Sequence, residues 1–415
     1  MNDGNNKIYY TKNKKSVVLV FSQRWSKRDY HRLGAEYLKK RGYDVRCISV
    51  GKKDDFIPTE SLNDTVEYES IRNADFPYYA NNNKDAIFVF YNNPEIFSVS
   101  LYKYDINYIV YGGLGLVCDR FRDTDYLSEN SVSCIKKVIL SIKKNKLKFP
   151  RRVYNRLKSD IPRSIRKLLF RKKKLPICVI MSTDLEQNCI PQEYLGGRVL
   201  YTHSYDYDRY IENKRNGIST SEDFIVFIED GLIGRDRDHE INKLGNCINQ
   251  EKWESECKLF FDKLEIIYGV PVVVAGHPHS VYNDGKFAGR DIILGKTTEL
   301  IPKAKLVVTQ ISTVFSMVNL YQKDFIFALN NDVQKQLCSY EDHYVRWYSY
   351  FIELMNVKVL NFDETNISDI NIEKYVNKYQ LKLGELYKNR YIKMDGTCEE
   401  LNCEILEKVI SEIPE

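Results

Sequence analysis

The sequence predicts an α/β protein of two domains, each built on a parallel sheet, and three observations carry that prediction. In Val272–Val318 an apolar run, Val272–Ala275, ends in Gly276-His277-Pro278. A helix-like segment, Thr297–Lys303, follows, and a second apolar run, Leu306–Val308, ends in Thr309-Gln310-Ile311-Ser312-Thr313 before a new apolar helix. Twice a buried-type strand leads into a polar loop and a helix start, which is the βαβ rhythm. The chain also opens in this way, with the strand Ser16–Phe21, a helical pattern over Asp29–Arg41 closed by Gly42, and the strand Val45–Val50. Finally, 415 residues are long for one hydrophobic core.

With 43% apolar and 29% charged residues, the chain can build a packed core. No apolar run reaches the length of about 18 residues that a membrane-spanning helix needs, and the N-terminus lacks the apolar core of a signal peptide. The ten cysteines form no CxxC pair, so they read as reduced thiols of a cytoplasmic protein and not as disulfides or a zinc site. The net charge of +5 conceals an asymmetry: Lys136–Lys174 holds 17 Lys/Arg against one acid, Asp160, so the rest of the chain is strongly acidic.

In chain order, the first strand ends in Ser22-Gln23-Arg24-Trp25-Ser26-Lys27-Arg28. Arg24 and Arg28 in this polar, basic loop can meet a sugar or a phosphate, or simply face solvent. Ala86–Tyr91 and Tyr108–Tyr111 are further strands. Gly112-Gly113-Leu114-Gly115 after the second lacks the dinucleotide fingerprint and reads as a tight turn. Residues 136–174 interleave basic residues with apolar ones such as Val138, Ile142, Leu157 and Leu168, and Pro150 and Pro162 divide them into short amphipathic pieces. An anionic membrane surface is the expected partner. Nucleic acid is not expected, because no ladder of stacking aromatics accompanies the charge; a solvated face is the plain alternative. Ile177–Met181 is a strand, and Asn213–Glu222 reads as the inter-domain linker. The expected domains are therefore 1–215, carrying the basic insertion, and 216–415.

Phe224–Ile228 starts the second domain and runs into Glu229-Asp230-Gly231. Two acids at a strand end are candidates for general-base work, and a solvated turn is the alternative. Trp253–Ile267 is an amphipathic helix with Trp253, Cys257, Phe260, Phe261, Leu264 and Ile267 on one face. If its flanking strands are neighbours, Asp230 and His277 open onto one crevice. Ser312 and Thr313 can cap the following helix, whose free N–H groups suit a phosphate. Phe325–Leu329 is a later strand, and Cys398–Ile410 is a terminal helix able to pack back on the first domain.

In order and kind, Glu229-Asp230-Gly231, His277-Pro278 and Ser312-Thr313 resemble the motifs of bacterial GT-B glycosyltransferases that use CMP-activated nonulosonic acids (sialic, legionaminic or pseudaminic acid). Over most of its length the chain also resembles surface-polysaccharide proteins of O-antigen and capsule loci, through KRDYHRLGAEYLKKRGYDV, HSYDYDRY, FIEDGLIGRDRD, AGHPHS, FAGRDIILGKTTELI, STVFSMV and YIKMDGT. It departs from the pattern at Leu232, where an aromatic and a proline-rich turn would follow the acids, and at His279, where an Arg is common.

The resemblance implies a GT-B fold with two Rossmann-like domains facing a cleft, a CMP-activated sugar as donor and a lipid-linked glycan as acceptor. It places the protein on the cytoplasmic face of the bacterial plasma membrane. Asp230, or else Glu229, would be the catalytic base, and His277, Pro278, Ser312 and Thr313 would hold the CMP phosphate and nucleotide. Arg290 and Lys296 would meet the donor carboxylate or phosphate, Thr298 and Glu299 the ribose, and Arg24 and Arg28 the acceptor. No cluster has metal-ligand spacing, so transfer is expected to need no metal or other cofactor. CMP-Kdo, CDP-polyol or NDP-hexose donors, and a non-catalytic membrane-associated assembly factor, are the alternatives.

Overall fold

In the computed structural model the described residues are 15–22, 25–51, 66–91, 94–112, 174–184, 190, 192–229, 248–277, 282, 285–310, 312–339 and 351–414. Arg24, Asp230, Pro278, the turn 113–115 and all of the basic stretch except Lys174 lie outside them.

Seven strands make the N-terminal sheet: β1 (Ser16–Phe21), β2 (Asp44–Gly51), β3 (Glu69–Arg72), β4 (Ile87–Phe90), β5 (Tyr108–Tyr111), β6 (Cys178–Met181) and β7 (Val199–Tyr201). They are all parallel, in the order β3-β2-β1-β4-β5-β6-β7. A parallel sheet is covered on both faces, and β1 shows why its sequence is unbroken apolar. Val17, Leu19 and Phe21 enter one core, while Val18 and Val20 enter the other.

The second sheet repeats the scheme with β8 (Phe224–Ile228), β9 (Val272–Gly276), β10 (Ile292–Leu294), β11 (Ala304–Thr309), β12 (Phe325–Leu329) and β13 (Val359–Asn361). Its order is β10-β9-β8-β11-β12-β13, and a short β14 (Val376–Asn377) runs antiparallel to β12. In both sheets the first strand lies between the second and the fourth, the doubly wound arrangement of Rossmann-like domains. The helix Gln250–Tyr268 buries Trp253, Cys257, Phe260, Phe261 and Leu264 against the second sheet.

The C-terminal helix Asn402–Glu412 returns to the N-terminal sheet. Leu406, Val409, Ile410 and, just beyond it, Ile413 join the core of β1. Two Rossmann-like sheets with a terminal helix crossing back make this a GT-B architecture. The returning helix also explains a departure from expectation. Asp29–Arg41 is two short helices, Lys27–Arg32 and Ala35–Lys40, with Gly34 between them at φ 80°. A Cβ on Gly34 would sit 3.2 Å from Cys403 Cβ, so the glycine serves both the break and the contact.

The segment expected as a linker begins inside the helix Tyr205–Arg215. Tyr205 belongs to the N-terminal core, whereas Tyr207 and Ile211 belong to the C-terminal one. Cys47, Cys178, Cys257, Cys398 and Cys403 are free thiols, as expected of the cysteines described. Among the described residues no helix is long and apolar enough to cross a membrane.

Candidate functional site

In a doubly wound sheet the loops leaving the first and fourth strands diverge, and ligands bind in the crevice between them. In the C-terminal sheet that crevice opens between β8 and β11. Phe227 pairs with Val274 of β9 and with Val308 of β11. Side chains alternate along a strand, so two residues further on Glu229, Gly276 and Gln310 emerge side by side at the carboxyl edge. The pairing of β10 with β9 reaches Leu294↔Gly276, which sets Gly295, Lys296 and the short helix Thr297–Leu300 beside His277. The acidic strand and the His277 strand thus lie in one sheet, as the sequence led one to expect, and they are direct neighbours.

Glu229 is 4% exposed, and its carboxylate accepts a hydrogen bond from the Tyr282 hydroxyl. The same hydroxyl oxygen accepts the His277 backbone N–H at 2.9 Å. The Tyr282 ring lies over Gly276: a Cβ there would stand 2.9 Å from Tyr282 Cε2, 2.9 Å from Ile292 Cγ2 and 2.7 Å from Leu294 Cδ2. The glycine before His277 is thus required by close approach. Glu229, Tyr282 and the His277 backbone form one connected unit, in which the buried acid fixes the start of the His277 loop. Sequence reasoning missed Tyr282, whose only advance signal was the glycine it covers.

Gln310 was also missed as a site residue. It is 3% exposed at the end of β11, and its Nε2 is buried with no hydrogen-bond partner among the described residues. Buried amide donors are nearly always satisfied, so this one offers itself to an oxygen in the crevice. A long polar side chain ending a buried strand was the signal available.

The other candidates fall into place unevenly. Ser312 and Thr313 do not cap the next helix, Phe315–Leu320, whose first turn starts from Val314 and has no side-chain cap. Ser312 Oγ instead accepts the Val314 N–H at 3.4 Å inside a turn, because the chain needs two more residues to reach helical geometry. Lys296 and Glu299 are exposed at the carboxyl edge, and the Thr298 carbonyl accepts from Asn213 Nδ2 at 2.8 Å. Arg290 lies before β10, at the opposite end of the strand from the crevice. It bonds Glu265 at 2.8 Å and Asp262 at 2.5 Å on the helix Gln250–Tyr268, and its guanidinium lies 5.3 Å from the Phe261 ring centre. Those carboxylates occupy the guanidinium expected to meet a donor.

The N-terminal carboxyl edge has a different lining. Trp25 is fully buried, and its indole N–H donates to the Ile48 carbonyl at 3.0 Å. Tyr91, Tyr111 and Tyr205 follow in a row, with ring centres 5.5 and 6.0 Å apart. Arg28 lies in the first turn of the helix after β1. The helix Tyr205–Arg215 spans both domains: Glu212 meets His31 at 3.1 Å on one side, and Tyr210 packs edge-on against Tyr321 at 5.1 Å on the other. At its start Asp208 accepts the Asn402 N–H at 2.9 Å and stands 3.7 Å from His203 Nδ1. Among the described residues no group of three or more His, Cys, Asp or Glu gathers as a metal site.

No family model matches the sequence, and no curated protein gives a significant match. Among solved structures the chain is similar to the wall teichoic acid polymerase TagF, at 14% identity and TM-score 0.45 over 98% of this chain and 91% of that one. It is similar to MurG of Acinetobacter baumannii at 11% identity and TM-score 0.39, covering 96% of this chain and 95% of that one. It is also similar to the spinosyn forosaminyltransferase SpnP at 9% identity and TM-score 0.43, over 97% and 96%. The fold assignment rests on the strand order and the returning helix described above.

Proposed function

We propose that this chain is a glycosyltransferase whose donor is activated by a cytidine nucleotide, held at the carboxyl edge of the C-terminal sheet. The observation that carries the reading is the convergence of the His277 loop, Glu229 and the Gln310 Nε2, which has no partner among the described residues, at the point where the loops after β8 and β11 diverge. Donors fixed in place before the reaction stabilise charge as it develops on a leaving phosphate. His277, Gln310 and Ser312 have that role here, and with them transfer needs no metal ion. Lys296, Thr298 and Glu299, at the end of β10, face the sugar or ribose.

A base must take the proton of the acceptor hydroxyl. Glu229 is buried and committed to Tyr282, so it positions the His277 loop, and we assign the base to Asp230. The order of the acidic, His-Pro and Ser-Thr motifs supports a CMP-nonulosonate donor. CMP-Kdo and CDP-polyol share the cytidine recognition and belong to the same proposal. The acceptor is a lipid-linked glycan, and the protein works on the cytoplasmic face of the membrane with residues 136–174 against anionic lipid.

Titration calorimetry of the full chain with CMP, CDP, UDP and GDP, without and with Mg²⁺, tests the donor class. The expected result is metal-independent preference for a cytidine nucleotide, weakened about tenfold in Gln310→Ala and more in His277→Ala. Preference for UDP or GDP would move the donor to an NDP-hexose. Binding of none of the four would leave the non-catalytic assembly role.

A further inference from the structure

The carboxyl edge of the N-terminal sheet carries a cationic cluster that the donor side does not use. Arg28 and Arg32 are four residues apart on the helix Lys27–Arg32, so they share a face. The helix Tyr205–Arg215 crosses this edge and brings Arg209 within electrostatic range of Arg28. Arg32 pairs with Asp29 at 2.8 Å, and its guanidinium lies 5.6 Å from the Tyr205 ring centre. Arg209 pairs with Glu212 at 2.7 Å. Arg28 makes no ion pair or hydrogen bond among the described residues, and Asp29 and Asp206 act on it only through space. Its pKa is lowered, first by desolvation and next by the like charge of Arg32. An anion at this point would relieve that repulsion.

A second, independent set of groups adjoins the cations through Tyr205. Tyr205 is 7% exposed and stacks on Tyr111, which is 2% exposed, with ring planes 17° apart. Beside them is Ser204, 3% exposed. The hydroxyls of Tyr205 and Ser204 are buried and lack hydrogen-bond partners among the described residues, as does Arg32 Nε. Guanidinium forks and hydroxyls together suit a group with several acceptor oxygens, and a phosphate takes more of them than one carboxylate can.

We propose that Arg28, Arg32 and Arg209, beside Tyr205, bind a phosphate group of the acceptor substrate, across the cleft from the donor nucleotide. This deepens the transferase reading and rests on it for the word acceptor. The shared chemistry is phosphate, and its two possible sources are the acceptor and the donor's own nucleotide.

Inorganic pyrophosphate is the probe, titrated by calorimetry into the full chain in the presence of saturating CDP, which fills the nucleotide site. Saturable binding is expected, about tenfold weaker in Arg28→Gln and in Arg209→Gln, and restored in part by Arg28→Lys. Lys214→Gln, on the same helix but outside the cluster, should bind as the unaltered chain does. CDP affinity should be the same in Arg28→Gln. The Arg28 side chain reaches solvent even though its neighbours partly desolvate the guanidinium, so its replacement leaves folding intact. No pyrophosphate binding, or equal binding in Arg28→Gln, would overturn the site. Displacement of pyrophosphate by CDP, together with weaker CDP binding in Arg28→Gln, would give the cluster to the donor and overturn the acceptor assignment. If no nucleotide binds at all while pyrophosphate binding still depends on Arg28, the phosphate site stands and the transferase reading falls.

Discussion

The N-terminal and C-terminal sheets place their first strands alike, β1 between β2 and β4 and β8 between β9 and β11, yet their carboxyl edges carry different chemistries. The C-terminal edge presents a buried carboxylate, a tyrosine that ties it to a histidine loop and an amide N–H with no partner among the described residues. The N-terminal edge presents a row of aromatic rings and a set of arginines. Backbone order creates two equivalent crevices, and the few residues after each strand decide what each can hold. The two halves also differ in what completes them. The C-terminal core draws on β8 to β14 and the helices between them, with Tyr207 and Ile211 from just before β8 and Tyr387, Tyr391 and Ile392 from just after β14. The N-terminal core takes Leu406, Val409, Ile410 and Ile413 from the far end of the chain.

The largest expected effect tests that last difference. Leu406 is 1% exposed in the N-terminal core. Leu406→Ala should cost about 2–5 kcal/mol by removing buried methyl groups and leaving a cavity. In urea unfolding the loss should fall on the transition of the N-terminal half, while cytidine-nucleotide affinity at the C-terminal edge stays the same. An equal loss of nucleotide affinity would show that the two sheets do not act as separate units.

Tyr282→Phe makes the converse test. It keeps the ring over Gly276 and removes only the hydroxyl that joins Glu229 to the His277 N–H. Hydrogen bonds to charged groups are worth about 1.5–3 kcal/mol, so nucleotide affinity should fall by roughly tenfold or more. Thermal stability of the N-terminal half and pyrophosphate binding at the arginine cluster should not change. Unaltered nucleotide binding in Tyr282→Phe would reduce the Glu229–Tyr282 link to packing.

The contrast between the halves was only partly legible in the sequence. Strands buried on both faces, such as SVVLVF, FIVFI and FIFAL, announce themselves as unbroken apolar runs. β3, read as ESIR, and β7, read as VLY, were not expected. They are short edge strands, and three of the four β3 residues face solvent, so no apolar pattern marks them. The helix Tyr205–Arg215 was hidden because its buried side is made of Tyr205, Tyr207, the polar Asn213 and one aliphatic residue, Ile211. At the site, His277 and the acids were visible because their residue types are chemically distinctive. Tyr282 and Gln310 were not, because what matters about them is where the register puts them. Arg290 was misjudged for the same reason: its charge was evident, but its position before β10 was not.

The smallest expected effect per unit of pH lies where the two halves meet. Burial raises the Asp208 carboxyl to about 8, and burial lowers the pKa of His203, 3.7 Å away. Their contributions to stability have opposite signs. A raised carboxyl pKa adds stability that is fully present below the unfolded value near 3.8 and is lost as pH rises through about 8. A lowered histidine pKa leaves stability intact above the unfolded value near 6.5 and erodes it below. Just below about pH 6.5 the two slopes oppose each other, so there the pair holds stability nearly level. Above about 6.5 the histidine is neutral in both states, and only the Asp208 slope remains, at most about 1.4 kcal/mol per pH unit up to pH 8. Asp208→Asn keeps an oxygen for the Asn402 N–H and removes the titration. The decline in urea midpoint between pH 6.5 and 8 should therefore be shallower in Asp208→Asn than in the unaltered chain. An identical decline in both proteins would place the titrating group elsewhere and show that the junction of the two halves is neutral across this range.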